Sequence, residues 1–261
     1  SDLKSDFFLM NQPGILYCGD TSLGGAAAYL AGLMTSWGWD FTYMPSDQQL
    51  SNSELAAEYS LIIFSDYPAS LAKSSLQDRL IERVTAGTGL LMIGGWESYH
   101  GLGGDWDGTP VADALPVNIS SEDDRRNCDQ PVFVQATGIS HPITDSLPWS
   151  ERPPLIGGFN AFSPKTDSQT LLQAMRFEAR FAGVIPSLEP SLTTPLLVTA
   201  SHGAGRTAAL ATDVAPHWIG PMVDWGTERV TACADGAGDV EVGNLYAAFF
   251  KNLLSWTAKV T

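Results

Sequence analysis

The segment Gly87–Gly104, GTGLLMIGGWESYHGLGG, places a short apolar strand directly before a glycine-rich turn. A continuous apolar run of this length is typical of a strand that is covered on both faces, as in a parallel sheet between helices. Four side chains that can bind a ligand or take part in a reaction follow the turn: Trp96, Glu97, Ser98 and His100. Ligands of open parallel sheets bind outside the carboxyl ends of the strands, so the sequence predicts a binding site at this turn.

Strands and helices alternate over the first hundred residues. Strands are predicted at Gly14–Cys18, Phe41–Met44, Ser60–Ser65 and Gly89–Gly95. Helices are predicted at Ala26–Trp37 and Leu76–Ala86, the first with Asp20, Thr21 and Ser22 available to cap it. This order is that of right-handed βαβ units, and it predicts an α/β fold with a mostly parallel central sheet.

The sequence changes character after Gly104. From about residue 105 to about residue 195, Pro, Gly, Asp and Ser are dense, which predicts an irregular, β-rich elaboration with short strands. Within it Pro131–Thr137 is a predicted strand and Thr170–Phe177 is the one candidate for a long helix. Beyond it we expect a hairpin of Pro195–Ala200 and Arg206–Thr212, and a helix over Asn244–Trp256. We expect residues 1–261 to form a single domain.

Composition narrows the kinds of partner. The chain has 14 Lys and Arg against 29 Asp and Glu, a formal net charge of −15. Such a surface repels phosphate groups, so we expect neither nucleic acid nor an anionic membrane as a partner. No apolar run approaches the length that spans a bilayer. A small-molecule ligand is the partner we expect, and homo-oligomerisation stays open.

Cysteine usage predicts the compartment. Cys18, Cys128 and Cys233 are odd in number and widely spaced, which fits neither a disulfide framework nor a C-x-x-C metal site. The first residues, SDLKSDFFLMNQPG, lack the basic start and the long apolar core of a signal peptide. We therefore expect a reducing, cytoplasmic location.

Four motifs occur together in this chain. They are GLLMIGGWESYHGLGG, TPVADALPV at Thr109–Val117, HPIT at His141–Thr144 and ATDVAPHW at Ala211–Trp218. In this order they make the chain, from about Gly14 to Trp256, resemble the putative glutamine amidotransferase-like family, a branch of the class I glutamine amidotransferase-like superfold. The resemblance implies a flavodoxin-like three-layer sandwich, and it implies no particular reaction.

The resemblance also shows what the chain lacks. In active class I amidotransferases the strand that corresponds to Leu90–Gly95 ends in a nucleophile elbow that carries Cys. Here the strand runs into Gly94, Gly95 and Trp96, and Trp cannot attack an amide. We therefore predict that glutamine hydrolysis is not the reaction of this protein.

Three residues are candidates for a catalytic role. Glu97 is a candidate general acid or base if it is partly buried, and a carboxylate that stabilises a helix start is the plainer interpretation. Asp213 and His217 follow a predicted strand, and Asp213 would orient the imidazole by accepting its ring N–H. In the alternative, Asp213 caps a short helix whose first turn contains Pro216.

Other side chains near the predicted strand ends are candidates for ligand binding. They are Asp20, Asp66, Trp96, Ser98, His100 and Trp218. No H-x-x-x-H or similar spacing supports a metal site, so we expect neither metal nor cofactor. A second branch of the superfold, the trehalose-utilisation proteins, is similar at Gly94-Gly95 and His100-Gly101, which implies a sugar-derived ligand.

Two alternatives to a small-molecule site stay open. One is a non-catalytic interaction or regulatory module, in which the turns serve packing alone. The other is a hydrolase that uses Cys18, because this thiol ends the first predicted strand and would lie at the same rim of the sheet. Burial as a small apolar residue is the plainer interpretation of Cys18.

Overall fold

In the computed structural model, which describes residues 14–181 and 183–260, alternating strands and helices build the first half of the fold. The strands there are β1 (Ile15–Gly19), β2 (Phe41–Met44), β3 (Leu61–Ser65) and β4 (Gly89–Ile93). The helices are α1 (Ala27–Ser36) and α2 (Ser74–Ala86). Each of these elements agrees with its prediction to within about two residues, which is the usual uncertainty of helix and strand ends.

The second half is rich in strands. They are β5 (Val117–Asn118), β6 (Arg125–Ala136), β7 (Leu155–Asn160), β8 (Ser163–Pro164), β9 (Gln169–Phe181), β10 (Pro186–His202), β11 (Gly205–Leu210), β12 (Arg229–Ala232) and β13 (Val240–Gly243). The helices are α3 (Pro110–Ala114), α4 (Pro216–Ile219) and α5 (Asn244–Ala258). Short 3₁₀ turns occupy Glu54–Ala56, Ala69–Leu71 and Gly220–Asp224.

Nine strands form one mixed sheet in the order β2-β1-β3-β4-β11-β10-β9-β6-β7. The strands from β2 to β11 are parallel to one another, and the pairings from β11 to β7 are antiparallel. In the sheet, β2 lies on one side of β1, and β4 lies on the opposite side of β3. The chain therefore crosses the sheet in opposite directions through α1 and through α2. Because such crossovers are right-handed, the two helices lie on opposite faces of the sheet. The predicted α/β sandwich with parallel core strands is confirmed.

The expectation for the middle of the chain is only half correct. It is rich in strands as predicted, but the strands are long, because β9 has 13 residues and β10 has 17. Thr170–Phe177 is not a helix, since it lies within β9 and pairs with β10 on one side and β6 on the other. Its apolar residues fit either secondary structure over so short a run, and the tertiary pairing decides between them.

The core lies on both faces of the parallel strands. Every residue of β3 and β4 is buried, as strands between two helical layers require. The predicted C-terminal helix is confirmed as α5, whose buried stripe includes Tyr246, Phe249 and Leu253 and which contacts β4 and β11. Among the described residues, no helix has the length and apolar character needed to cross a membrane.

Candidate functional site

The register of the parallel strands brings several predicted residues to one edge of the sheet. Gly19 at the end of β1 pairs with Ser65 of β3, and Ser65 pairs with Ile93 of β4. On the other side of β4, Ile93 pairs with Leu210 of β11. The residues that follow these pairs, among them Asp20, Asp66 and the Gly94-Gly95 turn, therefore leave the sheet side by side.

Asp66 lies at the centre of this edge. Its Oδ1 accepts the N–H of Glu97 at 2.8 Å, and its own N–H donates to Ser98 Oγ at 2.9 Å. The backbone of Asp66 is left-handed, with φ of 51°. Burial of the carboxyl, together with the charges of Asp20 and Glu97, raises the pKa of Asp66 to about 7, and the N–H groups of Glu97 and Trp96 oppose this rise.

Three more carboxyl groups with raised pKa values, those of Asp20, Asp213 and Glu97, lie near Asp66. Burial, followed by the charge of Glu97, raises the pKa of Asp20 to about 6, against the lowering effect of the Ala27 N–H. Burial also raises the pKa of Asp213 well above its usual range, together with the charges of Asp66 and Asp20. Burial raises the pKa of Glu97 as well. We call Asp20, Asp66, Glu97 and Asp213 the carboxylate cluster. Four such groups do not all ionise together at neutral pH.

A tyrosine hydroxyl without a partner lies beside the carboxylate cluster. Tyr17 in β1 is completely buried, and its hydroxyl has no hydrogen-bond partner among the described residues. Burial raises the pKa of Tyr17 well above its usual range, and the charges of Asp20 and Asp213 add to the effect. Buried hydroxyls are normally hydrogen-bonded, so this one marks a place where water or a ligand would bind.

Trp96 presents an aromatic surface next to the cluster. Its side chain is 44% exposed. The Arg125 guanidinium lies 4.6 Å from the indole centroid, and the His217 ring lies 6.1 Å from it. Arg125 is itself fixed by two hydrogen bonds to Asp123, at 2.9 and 2.8 Å. A cation over an indole face at this distance is a favourable cation–π geometry.

Two buried residues that the sequence analysis missed hold the turn in place. Asn160 Oδ1 accepts the Gly95 N–H at 2.9 Å, and its Nδ2 donates to the Gly95 carbonyl at 3.2 Å and to Asp124 Oδ1 at 2.8 Å. The Asp124 carboxylate also accepts the N–H groups of His100 and Gly101, each at 3.1 Å. Neither residue is near the turn in sequence and neither belongs to a motif, so no sequence signal marks them.

Three predicted ligand-binding residues already have partners within the protein. Ser98 is buried and accepts the Asp66 N–H described above. Trp218 is buried and donates from Nε1 to Asn127 Oδ1 at 2.7 Å. His100 Nδ1 lies 2.7 Å from Asp107 Oδ1, and this hydrogen bond raises the pKa of His100. The three residues therefore lie around the site with their polar groups engaged, and their roles toward a ligand stay predictions.

The predicted pairing of Asp213 with His217 is wrong. Asp213 Oδ1 accepts the N–H groups of Val214 and Ala215, at 2.5 and 3.4 Å, because the chain turns back at this residue and encloses its carboxyl. His217 lies in α4, is exposed, and faces Trp96. Pro216 begins α4 as the alternative predicted, but the cap residue is Ala215. Asp213 thus belongs to the carboxylate cluster, but His217 is not its hydrogen-bond partner.

Cys18 does not lie at the rim. It is completely buried within β1, one residue before the strand ends, and burial raises the pKa of its thiol far above the usual range. A thiol in this setting is neither accessible nor ionised at neutral pH. The expectation of an accessible Cys18 nucleophile is therefore wrong.

Among residues 14–181 and 183–260, no three His, Cys, Asp or Glu side chains are grouped so as to hold a metal ion.

Comparison with known proteins identifies the class. A family model described as "Putative glutamine amidotransferase" matches residues 18–231, and the chain belongs to this family. This confirms the resemblance inferred from the four sequence motifs. A search of curated proteins finds no match.

Solved structures agree on the fold. One cytoplasmic protein of Salmonella typhimurium is 21% identical with a TM-score of 0.68, covering 93% of this chain and 98% of its own. A second, from Salmonella typhimurium LT2, is 24% identical with a TM-score of 0.71, covering 94% of this chain and 99% of its own. A β-galactosidase of Rahnella sp. R3 is 11% identical with a TM-score of 0.51, covering 96% of this chain and 32% of its own. At these identities the likeness concerns the fold alone.

Proposed function

We propose that the protein binds a small, polyhydroxylated, sugar-derived molecule at the carboxyl edge of its parallel strands. The observation that carries the proposal is the convergence of Asp20, Asp66, Glu97 and Asp213 from separate strand ends, with the unpartnered hydroxyl of Tyr17 beside them. Carboxylates accept two hydrogen bonds from neighbouring hydroxyls, and a tyrosine hydroxyl both donates and accepts. Neutral hydroxyl groups also enter such a site without adding charge to it.

Trp96 supports a ring-shaped ligand. Its exposed indole adjoins the carboxylate cluster through Glu97, the next residue in the chain. Binding sites for small molecules combine apolar and aromatic walls with a few convergent polar groups, and this edge of the sheet offers both. Arg125 and His217 border the indole and add hydrogen-bond donors beside it.

The cluster is equipped for acid–base chemistry. With its pKa near 7, Asp66 exists in both protonation states at neutral pH, and Asp20, with its pKa near 6, is mostly ionised there. A proton donor and a proton acceptor are thus available within one group of side chains, which is what an isomerase or a hydrolase without a covalent intermediate requires. Cysteine-dependent amide hydrolysis is not part of this proposal, because Trp96 occupies the elbow position and Cys18 is buried.

Thermal-shift titration tests the proposal. A library of monosaccharides, sugar acids and amides is screened with the wild-type protein, since a ligand that binds the native state raises Tm with its concentration. We expect a sugar-derived hit whose shift is lost in Asp66→Asn and Trp96→Ala. The matched control is Asp167→Asn, an exposed carboxyl remote from the edge in sequence, which should keep the full shift. Hits confined to amides, or shifts that both site variants retain, would refute the proposal.

A different observation favours the second candidate, an interaction module. The hairpin of β9 and β10 extends past its neighbours, and its end exposes large apolar side chains: Phe181, Val184 (94% exposed), Ile185 (81% exposed), Leu188 and Leu192. Apolar groups exposed together mark interaction surfaces. The hairpin from Gln169 to His202 carries two Arg and two Glu, so it is neutral in a chain of net charge −15. Two copies meet with least repulsion there, and we propose a second copy of this chain as the occupant.

Sedimentation velocity tests this second candidate. The wild-type protein should form a dimer at micromolar concentration, and Val184→Asp with Ile185→Asp should be monomeric with an unchanged circular dichroism spectrum. Ile139→Asp, which charges an exposed apolar residue outside the hairpin, is the matched control and should remain dimeric. A monomeric wild type, or a control that dissociates equally, would contradict the assignment.

We also propose a cytoplasmic location. The described cysteines are free, and the two Salmonella relatives are named as cytoplasmic proteins. Fractionation of cells that express the tagged protein provides the test, and recovery in an oxidising compartment would contradict it.

A further inference from the structure

A second cavity, separate from the carboxylate cluster, opens at the edge of the sheet beside β2. Its volume is about 530 Å³, within the range of cavities that hold small molecules. The lining combines three aromatic side chains, two carboxylates and small or apolar residues: Trp39, Phe41, Tyr43, Asp40, Asp235, Leu23, Thr35 and Gly38. No Lys, Arg or His is among these lining residues.

The aromatic wall is fixed by its surroundings. Trp39 packs edge-on against Trp37, with ring centroids 5.1 Å apart, and Tyr43 packs edge-on against Tyr17 at 5.6 Å. The Tyr43 hydroxyl lies 2.5 and 2.6 Å from the backbone carbonyl oxygens of Gly19 and Asp20, and the two carbonyls share its single hydrogen. These rings are therefore preorganised, and little rotational freedom is lost when a ligand binds against them.

The charge of the cavity favours a cation. Asp40 and Asp235 are exposed at its lining. The whole chain carries a net charge of −15, and an acidic surface of this kind concentrates cations at its concave parts. Aromatic faces attract a methylated ammonium group through their negative quadrupole, and neighbouring carboxylates add to that attraction.

We propose that this cavity binds a small molecule bearing a methylated ammonium group. The ammonium group lies against Trp39 and Tyr43, and Asp40 and Asp235 balance its charge. The ligand class differs from the neutral, hydroxylated molecule proposed for the carboxylate cluster, and no member of that cluster lines this cavity.

Calorimetric titration with choline tests the proposal on the full chain. The neutral isostere 3,3-dimethyl-1-butanol has the same shape without the charge, so it separates charge recognition from shape recognition. We expect choline to bind and the isostere to bind at least tenfold more weakly. Added salt should weaken choline binding further, because exposed carboxylates are screened. No binding of choline at millimolar concentration, or equal binding of the isostere, would overturn the proposal.

Isosteric variants locate the binding. Asp40→Asn with Asp235→Asn removes the charge at two exposed positions and should weaken choline binding at least tenfold without changing Tm. Trp39→Leu should weaken it by a similar factor, and Asp167→Asn should leave it unchanged. Binding of choline that survives both the double variant and Trp39→Leu would place choline elsewhere and refute this site.

Discussion

Gly95 leaves the space that the Asp66 carboxyl occupies: a Cβ placed on residue 95 would lie 2.1 Å from Asp66 Oδ1. The glycine turn and the left-handed backbone of Asp66 are therefore two parts of one arrangement. The carboxyl tucks against the turn and accepts the Glu97 N–H there. The absence of a side chain at Gly95 thus leaves room for an acid at the turn that follows β4.

Substitution of Gly95 should disturb the site before it disturbs the fold. In Gly95→Ala the new methyl group displaces the Asp66 carboxyl and breaks its hydrogen bond, at an expected cost of about 1 to 3 kcal/mol of unfolding free energy. Chemical denaturation measures the loss. Gly238→Ala is the control, because nothing lies within 4 Å of its Cβ position. Equal stabilities of the two variants would show that the Asp66 carboxyl has room to spare.

The pH dependence of stability should follow from Asp66. Its pKa is about 7 in the folded protein against 3.8 in the unfolded chain. Between these values the folded state holds the proton and the unfolded state has lost it, so the free energy of unfolding falls as pH rises from about 4 to about 7. Asp66→Asn removes this titration. It should be more stable than the wild type at pH 8 by about 1 to 3 kcal/mol and nearly equal to it at pH 4.

Thermal denaturation of the wild type and of Asp66→Asn, measured at several pH values, checks this prediction. Asp20, with a pKa of about 6, and Asp213, whose pKa burial raises well above its usual range, keep a slope of the same sign in both proteins. Asp123 accepts hydrogen bonds from Arg125 that lower its pKa to about 2, so it titrates below pH 4 in both proteins. A wild-type advantage that grows with pH would mean that the folded state favours the ionised Asp66.

Loss of Asn160 should release the turn. Asn160→Ala removes hydrogen bonds to both backbone groups of Gly95 and to Asp124, which leaves buried polar atoms without partners. The expected loss is about 2 to 4 kcal/mol, since each orphaned group costs about 1 to 3 kcal/mol. Calorimetry measures the fall in Tm. Asn118→Ala, at an exposed position, should change stability by less than about 0.5 kcal/mol, and a similar small effect at Asn160 would contradict the assigned role.

Thiol reactivity should rank with exposure. Cys233 is exposed, Cys128 is half-buried and Cys18 is buried. Under native conditions a maleimide should label Cys233 first and leave Cys18 unmodified until the protein unfolds. Peptide mass spectrometry reads the order. Rapid native labelling of Cys18 would restore the hydrolase hypothesis that its burial argues against.

The sequence predicted those parts of the fold that rest on local patterns. The buried runs of β3 and β4 and the apolar stripe of α5 each determine one element, and their order determines the parallel half of the sheet. The segment Thr170–Phe177 was misassigned, because its apolar residues gain their strand geometry from β6 and β10, which are distant in sequence. Long-range pairing of this kind leaves no local period.

The candidate site was predicted in the same uneven way. Strand ends in a parallel sheet meet at one edge, so Asp20, Asp66 and Glu97 were found from their positions alone. The predicted partner of Asp213, His217, was wrong, since the Asp213 carboxyl accepts hydrogen bonds from the N–H groups of the two residues that follow it. Asp124 and Asn160 were missed because what makes them important is contact with the turn, and contact is set by the fold and not by spacing along the chain.

The position of β11 in the sheet has a consequence for synthesis of the chain. Thr207 of β11 pairs with Leu90 of β4, while the intervening residues form the antiparallel half. During translation, one edge of β4 therefore has no partner strand until β11 has been synthesised. An open strand edge is prone to aggregation, and pairing across so long a separation is slow, so this protein should depend on a chaperone more than its size alone suggests.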